Sequence, residues 1–99
     1  MNCTSTRNAE KNITRHDWTL DGYAITIIKY EDRSNRITIK APLDAPELCV
    51  DDFREDPAVE VNWSAIGNVN GDEARKYAAK IVAAADIAET FQGIIDGMK

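Results

Sequence analysis

The chain is poor in the side chains that bind zinc or act as nucleophiles. It contains a single histidine, His16, and two cysteines, Cys3 and Cys49. A structural zinc site needs about four Cys or His ligands at short spacings, so a conventional structural zinc site is excluded. The two cysteines lie far apart in the sequence, and in a cytosolic chain such a pair is more typical of free thiols than of a disulfide. We therefore expect two free thiols.

Long apolar runs are also missing. No stretch approaches the roughly 20 apolar residues that a membrane-spanning helix requires. The first seven residues lack the apolar segment of a secretory signal. The sequence therefore predicts a cytoplasmic protein that has no membrane partner.

Motifs for catalysis are absent as well. There is no glycine-rich phosphate-binding loop and no Ser-His-Asp set in a credible context. His16 has no partner on its own strand face to orient it, and Cys49 has no neighbouring base to activate its thiol. We therefore expect a structural histidine, a partly buried packing cysteine, no enzymatic activity and no cofactor.

Two acidic segments are superficially similar to cation-binding loops. The run from Asp51 to Asp56 has no glycine for the sharp turn of a calcium loop. The run from Asn68 to Glu73 alternates side-chain oxygens and contains Gly71, but helix capping accounts for it without a metal. The sequence predicts no metal site.

Positive charge is scarce, and the net charge is −5 at pH 7. Residues 44–60 contain only one base, Arg54, and most of the acidic excess: Asp44, Glu47, Asp51, Asp52, Glu55, Asp56 and Glu60. Nucleic-acid-binding proteins concentrate positive charge, because phosphate neutralisation supplies most of their affinity. Direct nucleic-acid binding is therefore disfavoured. An acidic surface that faces a basic protein is the more natural use of this segment.

A long amphipathic segment, Gly71 to Asp96, dominates the rest of the chain. Asn70 is a favourable N-cap, and Glu73 can return a hydrogen bond to the backbone of the cap. Gly97 is placed to end the helix in a left-handed conformation. Apolar residues recur at the spacing of one helical face. They are Ala74, Tyr77, Ala78, Ile81, Ala85, Ala88, Phe91 and Ile95, widened by Val82, Ile87 and Ile94.

Upstream of the helix, four segments alternate as strands do. Asp21-Gly22 predicts a two-residue hairpin turn between residues 13–20 and 23–30. Residues 36–40 and 59–65 are the third and fourth predicted strands. The hairpin turn fixes a register in which Leu20 faces Tyr23, Trp18 faces Ile25 and His16 faces Ile27. The predicted core joins the helix stripe to Trp18, Leu20, Tyr23, Ile25, Ile27, Ile37, Ile39, Val61 and Trp63.

The element order β-β-β-loop-β-α predicts an α+β fold, a four-stranded antiparallel sheet with one long C-terminal helix packed on one face. The loop is the acidic segment 43–57, attached to the body by Leu48, Val50 and Phe53. Residues 1–12 are polar and aperiodic and are predicted to be a disordered tail. Residues 13–99 are predicted to be a single α+β domain, because a chain of this length has room for one core.

Part of the chain has a pattern found elsewhere: a strand with Trp63, then Gly67 and Val69, a capped helix start with Glu73-Ala74, and an alanine-rich helix. In this pattern residues 60–88 resemble the C-terminal part of many small uncharacterised proteins of actinobacterial genomes, prophages and phages. The resemblance implies a setting, a mobile element or its host, and transfers no functional residue. In size and charge the chain is similar to phage-encoded inhibitors of host defence, including anti-CRISPR proteins.

The leading hypothesis is a non-enzymatic protein-binding module that faces a basic surface of another protein. In the mobile-element setting, that surface is the positively charged groove of a host nucleic-acid-handling complex, from which acidic side chains exclude the nucleic acid. The candidate partner-binding residues are Glu47, Asp51, Asp52, Glu55 and Asp56.

Two alternatives remain open at this point. The first is a structural or assembly protein that self-associates, for example as a homodimer, through the open sheet face or through an alanine strip (Ala79, Ala83 and Ala84). The second is a small enzyme or metal-binding protein, which needs a concave pocket around His16 or Cys49.

Overall fold

The computed structural model describes residues 1–63 and 67–98, which form six strands and one helix. Strands β1 to β4 make a four-stranded antiparallel sheet in sequence order, and β5 and β6 make a separate two-stranded sheet. The predicted α+β class, with its four-stranded antiparallel sheet and long C-terminal helix, is confirmed. The elements are β1 (Asn2–Asn8), β2 (Ile13–Leu20), β3 (Tyr23–Tyr30), β4 (Arg36–Lys40), β5 (Glu47–Val50), β6 (Val59–Asn62) and α1 (Gly71–Gly97).

The turn between β2 and β3 sets the register of the sheet. Asp21 has a φ of 49° and Gly22 a φ of 84°, the two positive values that a type I′ turn requires. A Cβ atom added to Gly22 would also lie only 3.2 Å from the Pro42 side chain. The predicted register is confirmed: Leu20 pairs with Tyr23, Trp18 with Ile25 and His16 with Ile27.

The N-terminal segment corrects one prediction. The sequence predicts a disordered tail over residues 1–12, but Asn2–Asn8 form β1 and pair with β2. All seven residues of β1 are exposed, so the strand has no apolar alternation from which it could be recognised. Cross-strand contacts hold it instead: Ser5 Oγ lies 2.8 Å from His16 Nδ1, and Arg7 donates to Thr14 Oγ1 at 3.0 Å and to Glu31 Oε1 at 3.2 Å.

The predicted loop over residues 43–57 contains a second departure, because Glu47–Val50 form β5. The fourth predicted strand is shorter than expected, Val59–Asn62, and pairs with β5 instead of joining the four-stranded sheet; Ala65 lies outside the described residues. Leu48 faces Val61 and Val50 faces Val59. These pairs supply the apolar face of the hairpin, although Pro46, Pro57 and the acidic residues of this segment predict a loop.

Helix α1 begins as predicted and ends differently. Asn70 is extended, and its Oδ1 accepts a hydrogen bond from the Glu73 N–H at 2.9 Å. Glu73 Oε1 accepts from the side-chain amide of Asn70 at 3.0 Å, where the sequence predicts a bond to the backbone of the cap. Gly97 is still helical, not left-handed. The helix closes at Met98, whose N–H donates to the Ile95 carbonyl at 3.1 Å.

The core lies between the C-terminal half of α1 and one face of the sheets. Its buried residues are Tyr23, Ile25, Ile27, Ile37, Leu48, Ala84, Ile87, Ala88, Phe91 and Ile95, with Trp18, Leu20, Ile39 and Val61 partly buried against them. Most of the N-terminal half of α1, by contrast, is exposed. There, Ile81 and Val82 of the predicted stripe are 38% and 62% exposed, and Trp63 packs edge-on against Tyr77 at 4.9 Å.

The second face of the four-stranded sheet is polar. Asp17 accepts hydrogen bonds from Arg15 Nε at 2.9 Å and from Thr26 Oγ1 at 2.6 Å. The Arg15 bond, followed by the Thr26 bond, holds the pKa of Asp17 below its ordinary value. Hydrogen bonds between its own side chains thus satisfy part of this face.

Candidate functional site

The predicted acidic residues gather on the β5–β6 hairpin and its connection. Strand alternation turns Leu48 and Val50 inward and leaves Glu47 and Cys49 exposed. Glu60 is exposed opposite Cys49 on β6. Glu55 and Asp56, in the connection between the strands, are exposed as well. We call the exposed carboxylates Glu47, Asp51, Glu55, Asp56 and Glu60 the acidic surface.

Asp51 and Asp52 have different surroundings, although the sequence groups them together. Asp51 is exposed, and its Oδ1 accepts a hydrogen bond from the Phe53 N–H at 3.1 Å, which shapes the start of the connection. Asp52 is half-buried, and its Oδ2 accepts the Ile37 N–H at 3.0 Å. Asp52 thereby holds the β5–β6 connection against β4, so its carboxylate has a structural role. Four of the five predicted residues are exposed, and Asp52 is the exception.

Four carboxylates of the acidic surface lie apart from the ion pairs of the described residues. The described ion pairs lie elsewhere: Arg7–Glu31, Arg15–Asp17, Arg33–Asp32 and Arg75–Asp72. In the part of the chain that the structure describes, Glu47, Asp51, Glu55 and Glu60 have no ion pair. These carboxylates therefore present net negative charge to solvent, where a cationic partner can reach it.

Phe53 is a functional candidate that the sequence does not predict. The sequence predicts that Phe53 attaches the acidic segment to the body, whereas its side chain is 97% exposed. Leu48 and Val50, the other two predicted attachments, do pack on the core. Leu48 and Val50 of β5 already make the contact with the core. Phe53 therefore lies on the outside of the connection, between Asp51 and Glu55. A signal was present in the sequence, since charged residues flank this one aromatic residue on both sides.

A groove of about 550 Å³ lies beside Phe53. The end of β3, the β3–β4 turn and the start of β4 also line this groove, with Tyr30, Arg33 and Arg36. Arg33 lies 4.9 Å from the centre of the Tyr30 ring and pairs with Asp32 at 3.2 Å. That hydrogen-bonded pair raises the pKa of Arg33 and lowers the pKa of Asp32. The acidic connection therefore borders a wall that bears arginines.

The structure gives the two candidate catalytic residues separate places. His16 stacks on Trp18 at 5.7 Å and contacts Ser5, both on strand faces of the large sheet. Cys49 is exposed, not partly buried as predicted, and borders a concavity of about 570 Å³. Lys40 is the one base among the described residues that line this concavity. Cys3 is also exposed, and both cysteines are free thiols, as predicted.

The alanine strip and the acidic groups do not form a further site in the part of the chain that the structure describes. Ala84 of the predicted alanine strip is buried in the core, while Ala79 and Ala83 are exposed. Within residues 1–63 and 67–98, no group of three or more His, Cys, Asp and Glu side chains is arranged to hold a metal ion. The described part of the chain likewise contains no helix long and apolar enough to cross a membrane. Comparison with protein-family models, curated proteins and solved structures finds no match to this chain.

Proposed function

We propose that this protein is a non-enzymatic binding module that docks on a basic surface of another protein through its acidic surface and Phe53, which lies in the β5–β6 connection. The observation that carries the proposal is that the β5–β6 connection combines the 97% exposed ring of Phe53 with the carboxylates of Asp51 and Glu55, which have no ion pair among the described residues. Exposed aromatic side chains of this kind are typical anchors of protein interfaces, and the surrounding charges select the partner.

The two parts of this surface make different contributions to binding. Burial of a phenyl ring removes apolar area from water and slows dissociation. Negative charge speeds the encounter with a cationic partner, and this effect weakens as salt is added. A phenylalanine between carboxylates fits a partner that offers an apolar pocket rimmed by Lys or Arg.

The partner class follows from the charge. Proteins that handle nucleic acids carry cationic grooves for phosphate, and an acidic module can occupy such a groove and exclude the nucleic acid. We extend the proposal to an inhibitor of a host nucleic-acid-handling complex, in the manner of anti-CRISPR proteins. The resemblance of residues 60–88 to proteins of prophages and phages supports this extension.

Capture of partners from a host lysate tests the proposal with two matched variants. The first neutralises Glu47→Gln, Asp51→Asn, Glu55→Gln and Asp56→Asn, and leaves Asp52 intact because the fold uses it. The control neutralises Glu10→Gln, Asp21→Asn, Asp86→Asn and Glu89→Gln, and so has the same net charge. We expect the captured protein to be lost with the first variant and with Phe53→Ala, and retained with the control.

Two further outcomes test the binding site and the competition with nucleic acid. Equal capture by both charge variants would refute the acidic surface as the binding site. If the target is a nucleic-acid-handling complex, an excess of its nucleic acid should release the bound chain. If an excess of nucleic acid does not release the bound chain, competition for the groove is refuted. The acidic surface would then still be the binding site, but outside the groove.

A further inference from the structure

The two edges of the four-stranded sheet are treated differently. At β4, the outward N–H of Ile37 is bound by the Asp52 carboxylate at 3.0 Å. At the other edge, β1 pairs only with β2 among the described strands, and all seven of its residues are exposed. One edge is therefore capped and the other is open.

The register shows which backbone groups of β1 face that open edge. A two-residue turn makes Leu20 and Tyr23 a hydrogen-bonded pair, and such pairs alternate along antiparallel strands. Residues 14, 16, 18 and 20 thus bond to β3, and residues 13, 15, 17 and 19 bond to β1, opposite residues 8, 6, 4 and 2. The N–H and C=O groups of Cys3, Ser5 and Arg7 therefore point outward. The same alternation turns the Ile37 N–H outward, where Asp52 binds it.

This edge lacks the usual protection against pairing. Natural edge strands are blunted by proline, by bulges or by several charges. Residues 2–8 contain no proline and one charged side chain, Arg7. Their pairing with β2 is one-to-one from end to end, so no bulge turns the edge away. A straight strand with three outward residues is ready to accept another strand.

We propose that β1 pairs with β1 of a second copy of the chain, antiparallel and two-fold symmetric about Ser5. The outward residues are then self-complementary, because Ser5 faces Ser5 and Cys3 faces Arg7 of the other copy. Every outward N–H and C=O of the three residues finds a partner. Thr4 faces Thr6 on the opposite face of the sheet, a favourable cross-strand pair. The two four-stranded sheets become one sheet of eight strands.

Charge favours this occupant. The Arg7 side chains lie opposite Cys3 and not opposite each other, so like charges are not juxtaposed at the new ladder. The acidic surfaces lie beyond β4, at the two outer ends of the joined sheet. Eight strands separate them by more than about 30 Å, several times the screening length of about 8 Å at physiological salt. Dimerisation through β1 is therefore independent of the proposed function of the acidic surface.

Sedimentation equilibrium of the full chain tests the pairing. Ser5→Pro removes an outward N–H without removing a bond to β2, and should raise the dimer dissociation constant by about 10- to 100-fold, since each dimer loses two hydrogen bonds. Ser5→Ala keeps the N–H and removes only the contact with His16, so it should dimerise like the wild type. A monomer at every concentration up to about 1 mM would overturn the proposal. Equal weakening by the two substitutions would also overturn it.

Disulfide trapping tests the register without relying on proline. With Cys3→Ser and Cys49→Ser as the background, Ser5→Cys places the two thiols opposite each other, with Cα atoms about 5.5 Å apart. Oxidation should give a cross-linked dimer. Thr4→Cys in the same background faces Thr6 of the other copy and should not cross-link. Cross-linking at position 4 as fast as at position 5 would contradict the two-fold axis at Ser5.

Discussion

Asp51 and Asp52 are neighbours in the sequence with different physical surroundings. The Asp51 carboxylate is exposed and accepts the Phe53 N–H, within its own turn. The Asp52 carboxylate is half-buried and accepts the N–H of Ile37, 15 residues away. A bond between segments that are distant in sequence stabilises the tertiary structure, whereas an exposed turn bond contributes mainly to local shape. The same residue type therefore has a structural role at one position and a surface role at the next.

Asp52→Ala leaves the outward N–H of Ile37 without its acceptor. We expect the free energy of unfolding to fall by about 1–3 kcal/mol, the cost of a lost bond to a charged group. Urea unfolding followed by circular dichroism measures the change. Glu55→Ala, at an exposed position, should change the free energy by less than about 0.5 kcal/mol. Equal effects at the two positions would contradict the structural role of Asp52.

Tyr23 gives the protein a pH dependence at the alkaline end. Its buried hydroxyl donates to the Pro46 carbonyl at 2.6 Å, and burial raises the pKa of the phenol above its ordinary value. The folded chain thus holds this proton more tightly than the unfolded chain. The resulting stability is complete below about pH 10 and is lost as the pH rises through the raised pKa.

Unfolding free energies of wild type and Tyr23→Phe, measured from about pH 8 to about pH 11, check this linkage. The variant should be less stable at pH 8 by about 1–2 kcal/mol, since the Pro46 carbonyl loses its donor. The difference between the two proteins should then shrink above pH 10. A difference that stays constant over the whole range would argue against a buried phenol with a raised pKa.

At the scale of elements, the sequence predicts those parts that local chemistry determines. The Asp21-Gly22 turn fixes the register of β2 against β3, and Asn70 fixes the start of α1. In both places a few adjacent residues carry the whole signal. The α+β class followed from these elements and from the order in which they occur.

The elements that the sequence does not predict depend on contacts between distant residues. Strand β1 is polar and exposed throughout and is held by cross-strand bonds such as that of Ser5 to His16. Strand β5 is four residues long, and the sequence predicts that its partner β6 belongs to the larger sheet. The exposure of Phe53 depends on where that hairpin places its connection. Each of these contacts joins two segments, and the residues of one segment alone do not specify it.

The N-cap of α1 offers a test at this scale. Asn70→Ala removes both side-chain bonds of the cap and should lower the free energy of unfolding by about 1 kcal/mol. The thermal midpoint of the variant measures this loss. Asn68→Ala, two residues earlier and exposed, is the matched control and should leave the midpoint within about 2 °C of the wild type. A larger shift for Asn68 than for Asn70 would be inconsistent with the cap.

The whole molecule is elongated, with extents of 54 × 26 × 19 Å. The open β1 edge lies at one side of the large sheet, and the acidic surface lies beyond the other side, next to the capped edge of β4. A dimer through β1 would present two acidic surfaces facing away from each other.

The salt dependence of the captured complex shows whether the acidic surface and Phe53 bind a basic protein. The dissociation constant should be measured for the wild type and for the two charge variants at about 50 mM and about 200 mM salt. For the wild type and the control variant, we predict clear weakening at the higher salt concentration. The variant neutralised at Glu47, Asp51, Glu55 and Asp56 should bind more weakly at both concentrations and respond little to salt. Equal salt dependence for all three proteins would contradict binding through the acidic surface.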